Sequence, residues 1–335
     1  MTIRNSLFHD QRGWAVVGNG TGCAVLRCEV RETGCGGISL GGGNRRTLTP
    51  GSCRVEDCLI HDFGKLLAKS DNGIRLSGVG QIIRHNEIFG ASGQVVGIYG
   101  NDHLFEYNVI SNVCWGTDDA GALYKGRNPS CTGNMYRYNL WCDIGRPDGH
   151  GTAAIYFDDG DSGETVYGNV FVRAGSVGGA GFGSVFVNGG MFNHVENCLF
   201  VDCGRPLGHG YWDQKRWIWS INVDTADCPV VTRLRKEIDV TRSPYPERYP
   251  WIRDLLKPHA DEDRWNTARA NVFVNCVSAP GGRWRPDASN VSVTGDVGFV
   301  DAPARDWRLK SDSRIYREAP AFRPIPFEKI GRRMK

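Results

Sequence analysis

The chain has 335 residues, and 40 Lys and Arg against 37 Asp and Glu leave a formal net charge of +3. That balance gives no push toward nucleic acid or an anionic membrane, and the sequence carries no phosphate-binding loop. Hydrophobic residues at 40% and charged residues at 23% exclude a disordered chain. No apolar run approaches the roughly 18 residues that a membrane span needs.

Residues 1–10 (MTIRNSLFHD) have neither the basic head nor the apolar stretch of a secretion signal, and they open directly into strand-like sequence. The expectation is that either the gene product is truncated or an upstream part, carrying the first coils, has been left off. One phrase then recurs: a small or polar residue, any residue, two apolar ones, then a Gly-containing turn. The copies end at Phe8, Val30, Ile60, Ile88, Ile110, Trp141, Phe171, Phe200 and Phe273. Until the last interval they lie about 27 residues apart, a period that means a stacked array. Each unit holds a second apolar phrase, such as GIRL at 73–76 or AIYF at 154–157, and a third just before the next copy. Apolar residues alternate with others over four or five positions, bounded by Gly, Asn and Asp, and no helical period is present. Three short strands per turn predict an all-β fold, a right-handed parallel β-helix forming one domain over 1–335.

Stacking predicts columns. The residue two before the end of each phrase runs Ser6, Cys28, Cys58, Asn86, Asn108, Asn139, Asn169, Cys198, Asn271. Coils lie about 4.8 Å apart, so the amides form a ladder. Of 12 cysteines, several occupy slots where Asn also fits, so most read as small buried fillers rather than disulfides or metal ligands. The long last interval marks an insertion at 208–263, with Trp212, Trp217, Trp219 and Trp251 and two helical stretches, 232–238 and 249–258. It reads as a surface insertion or as the wall of a cleft. Residues 296–335 read as an irregular wrap covering the last coil.

The inward column of the second phrase is apolar throughout. Its successors, Ser39, Arg75, Tyr99, Tyr124, Tyr156 and Phe186, then face outward, an aromatic row suited to stacking sugar rings. Aligning the tyrosines places Asn101, Gly126, Asp158 and Asn188 in one column and Asp102, Arg127, Asp159 and Gly189 in the next. Asp118 and Asp119 lie on the opposite edge, and Lys125 and His103 stand close by. His103, His150 and His209 fit a structural role as readily as a functional one, and Asp161 reads as a turn former. Clustered carboxylates raise one another's pKa, as a proton donor requires. The candidate catalytic residues are Asp119, Asp159, Asp158, Asp118 and Asp102. The candidate substrate-binding residues are Tyr99, Tyr124, Tyr156, Arg75, Lys125, Arg127, Asn101, His103 and Asn188. Paired carboxylates beside aromatic platforms suggest glycoside hydrolysis.

The stretches DDAGALYKGR (118–127), AIYFDDGDSG (154–163), VFVNGGMFNHVENCLFVDC (185–203), GNDHLFEYN (100–108) and FRPIPFEKIG (322–331) resemble a bacterial group of pectate-lyase-like parallel β-helix proteins. That group includes glycoside hydrolase family 141. The resemblance implies activity on plant-type glycans, fucosidase and xylanase having been assigned to members, with a catalytic Asp pair. Carried over, the pair comes from Asp118 or Asp119 and Asp158 or Asp159. The partner is then a polysaccharide or oligosaccharide of plant or microbial type, and no cofactor is expected. Two alternatives remain. In a polysaccharide lyase, Lys125 or Arg127 is the base and the carboxylates hold Ca²⁺. The other is a carbohydrate-binding β-helix without catalysis.

Overall fold

The structure, a computed structural model, describes every residue except 68–71, 147–150, 176–180, 221–231, 256–265, 278–283, 286 and 334–335. His150, Cys228 and the end of the stretch 249–258 lie outside the described residues. The chain winds as a right-handed parallel β-helix. Three sheets carry ten, ten and eight strands, each strand pairing with its equivalent one coil on. The first sheet runs from Thr2–Arg4 to Trp284–Arg285, the second from Leu7–Phe8 to Val291–Val293, and the third from Val16–Asn19 to Leu207–Gly210.

The recurring phrase is the corner between the first and second sheets. One residue before each ladder slot the backbone is left-handed, as at Asp57 (φ 56°), His85 (57°), Tyr107 (56°), Tyr138 (56°) and Asn197 (56°). This bends the chain sharply and aims the next side chain inward. The ladder follows. Asn108 Oδ1 accepts the Asn86 N–H at 2.9 Å, Asn139 Oδ1 the Asn108 N–H at 2.9 Å, and Asn169 Oδ1 the Asn139 N–H at 3.0 Å. Each bond contributes about 0.5–1.5 kcal/mol, and each satisfies a buried corner N–H that no strand reaches. Cys28, Cys58 and Cys198 fill ladder slots as buried thiols.

A second polar ladder lies at the corner before the first sheet. It runs Cys53, Gln81, His103, Asn134, Glu164, Asn193 and Asn266. Gln81 Oε1 accepts the Cys53 N–H at 2.7 Å, His103 Nδ1 the Gln81 N–H at 3.0 Å, Asn134 Oδ1 the His103 N–H at 2.9 Å, and Asn193 Oδ1 the Glu164 N–H at 3.0 Å. Between the ladders the interior is apolar, with a spine of rings that includes Phe105, Trp141, Phe171, Phe200 and Phe273.

The insertion begins after the strand Leu207–Gly210, which still pairs with the third sheet. Its described part holds short helical turns at Gln214–Ser220, Thr232–Glu237, Tyr245–Arg248 and Ile252–Leu255. Trp212, Trp217, Leu234, Tyr245, Tyr249 and Ile252 form a small core of its own against Met191. The C-terminal segment packs on the last coil's strand Val291–Val293 and extends beyond it. It covers the outer face of the second sheet, where Val170, Val172, Leu199, Val201, Val272 and Val274 point away from the interior and need apolar cover. It then runs back along the corner: Asn197 bonds the backbone of Arg323, Gly331 bonds Tyr107, and Arg333 pairs with Asp57.

Candidate functional site

The strands Ala120–Gly126 and Thr152–Asp158 are the longest pair in the solenoid, with Tyr124 opposite Tyr156 and Gly126 opposite Asp158. In the next coil Phe186 lies opposite Tyr156. Beyond the strand ends Arg127 (φ 64°) and Asp159 (φ 46°) take the left-handed conformation, as does Asp119 (φ 50°) just before its strand. These turns fold both edges back toward the tyrosines.

Asp158 is the hub. Tyr124 donates its hydroxyl to Oδ2 at 2.8 Å. Oδ1 accepts Tyr156 Oη at 2.8 Å, Asn188 Nδ2 at 2.9 Å and the Asp159 N–H at 2.9 Å. The same Tyr156 hydroxyl lies 3.3 Å from Asp119 Oδ1. It has one proton, so it donates to one carboxylate at a time while touching both. Asp119, from the far edge, is thereby held within two hydrogen-bond lengths of Asp158. Asp159 lies beside them, with Arg127 Nε at 3.0 Å and Asn188 Nδ2 at 3.3 Å.

The field differs between neighbours. Burial raises the Asp159 carboxyl above its usual range, and the charge of Asp158 adds to this, against Arg127 and Arg216. Burial and the adjacent Asp158 also push the Tyr124 and Tyr156 hydroxyls far up, so both stay neutral donors. Trp212 of the insertion donates Nε1 to Asn188 Oδ1 at 3.1 Å and lies against Gly189. A Cβ at Gly189 would sit 2.3 Å from that indole, and its φ of 73° favours glycine as well.

Several expected members lie elsewhere. Tyr99 is not in the tyrosine column, because Gly97 pairs with Tyr124 and Tyr99 falls two positions further on. Asn101 and Asp102 shift with it. Asn101 is buried, bonding Arg45, Ser130, Thr132 and Tyr245. Asp102 forms an ion pair with Arg248 of the insertion at 3.1 Å. His103 is a ladder member, held neutral because burial lowers its pKa to about 4. Arg75 stacks 4.5 Å over Trp14, two coils away. Asp118 pairs with Arg146 at 3.0 Å.

Lys125 points inward. It is 1% exposed and bonds Asp161 and the Cys131 carbonyl, with Glu164 Oε1 at 3.4 Å. The aromatic row is also less open than expected. Tyr156 and Phe186 are each 3% exposed, because Phe182 folds over both. Sequence reasoning missed Phe182 and Glu164, placed Trp212 in the insertion without assigning it a contact at the strip, and took Asp161 for a turn former. Among the described residues, no group of three or more His, Cys, Asp or Glu is arranged to hold a metal ion.

The fold is thus that of the right-handed parallel β-helix proteins. No family model matches the sequence, and no curated protein matches it. Among solved structures, the chain is similar to one described as a glycoside hydrolase, at 15% identity and a TM-score of 0.38, covering 59% of this chain and 36% of that one. It is also similar to a mutant of the PL6 family alginate lyase AlyGC, at 10% identity and a TM-score of 0.32, covering 99% of this chain and 55% of that one. The chain therefore spans about a third and about half of the length of these two structures.

Proposed function

We propose that the protein is a carbohydrate-active enzyme, a glycoside hydrolase acting outside the cytoplasm on a polysaccharide or oligosaccharide. The observation that carries this reading is the Tyr156 hydroxyl, which touches Asp119 and Asp158 together beside a third carboxyl, Asp159, with a raised pKa. Asp159 is the general acid: it is half-buried, and burial and Asp158 favour its protonated form. Asp119, exposed on the far side of Tyr156, is the base or nucleophile. Asp158 spends its lone pairs on four donors, so it positions the others and repels charge from Asp159. Arg127 and Asn188 are placed to hold substrate hydroxyls.

The lyase reading keeps Arg127, exposed beside Asp159, as its base, but loses Lys125. Lys125 is buried among carboxylates facing the interior, away from any surface substrate. The oxygens of Asp158 already accept hydrogen bonds that a Ca²⁺ ligand would have to give up. The test is a screen of aryl glycosides and plant polysaccharides for reducing-sugar release. The parent should release sugar, and Asp119→Asn and Asp159→Asn should not. Full activity in both variants would remove the site assignment, and an unsaturated, ultraviolet-absorbing product would restore the lyase.

A further inference from the structure

We infer that the helix Gln214–Ser220 forms a sugar-binding subsite beside the acid pair, with Trp219 as its stacking platform, so that the substrate is a glycan chain continuing past the cleaved bond. This rests on the glycosidase reading and names the kind of substrate that site takes. The four tryptophans of the insertion separate cleanly. Trp212 and Trp217 are buried in its core, and Trp251 stacks on Phe192 with ring centroids 5.4 Å apart. Trp219 is 77% exposed. An indole left in water adds nothing to packing, and its flat apolar face matches the C–H face of a pyranose.

Its place is continuous with the acids. Asn188, bonded to Asp158 and Asp159, accepts from Trp212, and the Arg216 guanidinium lies 4.4 Å from the centre of the Trp212 ring. Arg216 is close enough to Asp159 to oppose the rise of its pKa. Arg216 then lines, with Asp213, Lys215 and Trp219, a hollow of about 320 Å³. That volume is at the small end for a ligand pocket and suits one sugar ring rather than a large cofactor. Two cations supply donors and one carboxylate supplies acceptors, the mixture that several hydroxyls on one ring require. A monosaccharide with a small leaving group would reach the acids without touching Trp219.

The test uses the full chain in native gels containing soluble xylan, polygalacturonate or alginate, beside Trp219→Ala, Trp219→Phe and Asp159→Asn. At least one polysaccharide should retard the parent. Trp219→Ala should weaken that retardation about tenfold or more, the loss of one well-packed aromatic contact. Trp219→Phe, which keeps a ring, should retain most of it. Asp159→Asn should still be retarded while losing turnover. Equal retardation of Trp219→Ala and the parent overturns the subsite. So does a parent that no polysaccharide retards but that cleaves aryl glycosides through Asp159, and then the glycosidase reading survives. A parent with neither retardation nor turnover removes both.

Discussion

Asp158 ends its strand and Asp161 lies three residues further on, in the turn that follows, yet they serve opposite sides of the wall. Asp158 is only 6% exposed, shares the Asn188 donor with Asp159 and is linked through Tyr156 to the exposed Asp119. Asp161 faces in, fully buried, against Lys125 and Glu164. The inner group is one lysine between two carboxylates, with Tyr136 and Asn134 also donating to Glu164 at 2.8 and 3.2 Å. The outer group has neutral tyrosines as donors and, at its rim, the half-buried Asp159 carboxyl with a raised pKa. The comparison teaches that acids three residues apart meet different partners, cations inside the wall and neutral hydroxyl and amide donors on its outer side, according to the direction each side chain takes.

The strongest way to break the comparison is Lys125→Met. If the inner cluster is structural, leaving two buried carboxylates without their cation should cost about 3–5 kcal/mol in urea unfolding. A loss under about 1 kcal/mol would mean the interior is wetter than it looks. Next comes Asp159→Asn, which should lower turnover by about a hundredfold or more while leaving the unfolding midpoint nearly in place. A matching fall in stability would move Asp159 to the structural side.

A smaller effect follows from pH. Burial raises the carboxyls of Asp161 and Glu164 despite Lys125, so the folded protein holds a proton there that the unfolded chain releases. That contribution is complete below the unfolded carboxylate pKa and is lost as pH rises through the folded values. Unfolding midpoints of the parent should therefore fall relative to Asp161→Asn as pH is raised from about 4 toward neutrality. Parallel curves would deny the buried proton. Cys131, Tyr136 and His103 also face this cluster and the charge of Asp158 reaches it through the wall, so the difference between the two proteins is the quantity to measure. The smallest change is Arg248→Ala, whose pairing with Asp102 is partly exposed and should be worth about 0.2–1 kcal/mol by thermal melting.

The winding was legible because one apolar phrase recurs in each coil, with Asn, Cys or Ser at the same place in it. The second ladder was not, since Gln81, His103, Asn134 and Glu164 share a place but not a chemistry. Its signal was positional: Gln81, His103, Asn134 and Glu164 each stand immediately before a first-sheet strand. The inward aim of Lys125 was also within reach. Strand side chains alternate, so if Tyr124 faces out, Lys125 faces in, alongside Phe157 of the next coil, yet its charge drew it into the surface list. The misplacement of Tyr99 has a different origin. Two apolar phrases, VGI and GIY, overlap there, and the sheet pairs Val96, not Ile98, with Leu123. Phe182 comes from an irregular segment whose approach to the strip leaves no periodic trace, and the break in period that exposed the insertion did not say which of its tryptophans, Trp212, reaches the strip.

In a stack where each rung touches only the next, an end can peel while the middle holds. The closing segment changes that rule. By tying Asn197, Tyr107 and Asp57 to one continuous strand of backbone, it makes the opening of any one of these coils pull on coils several steps away. Removal of the last dozen residues should therefore loosen early rungs before late ones, turning one sharp transition into a graded fraying from the beginning of the chain.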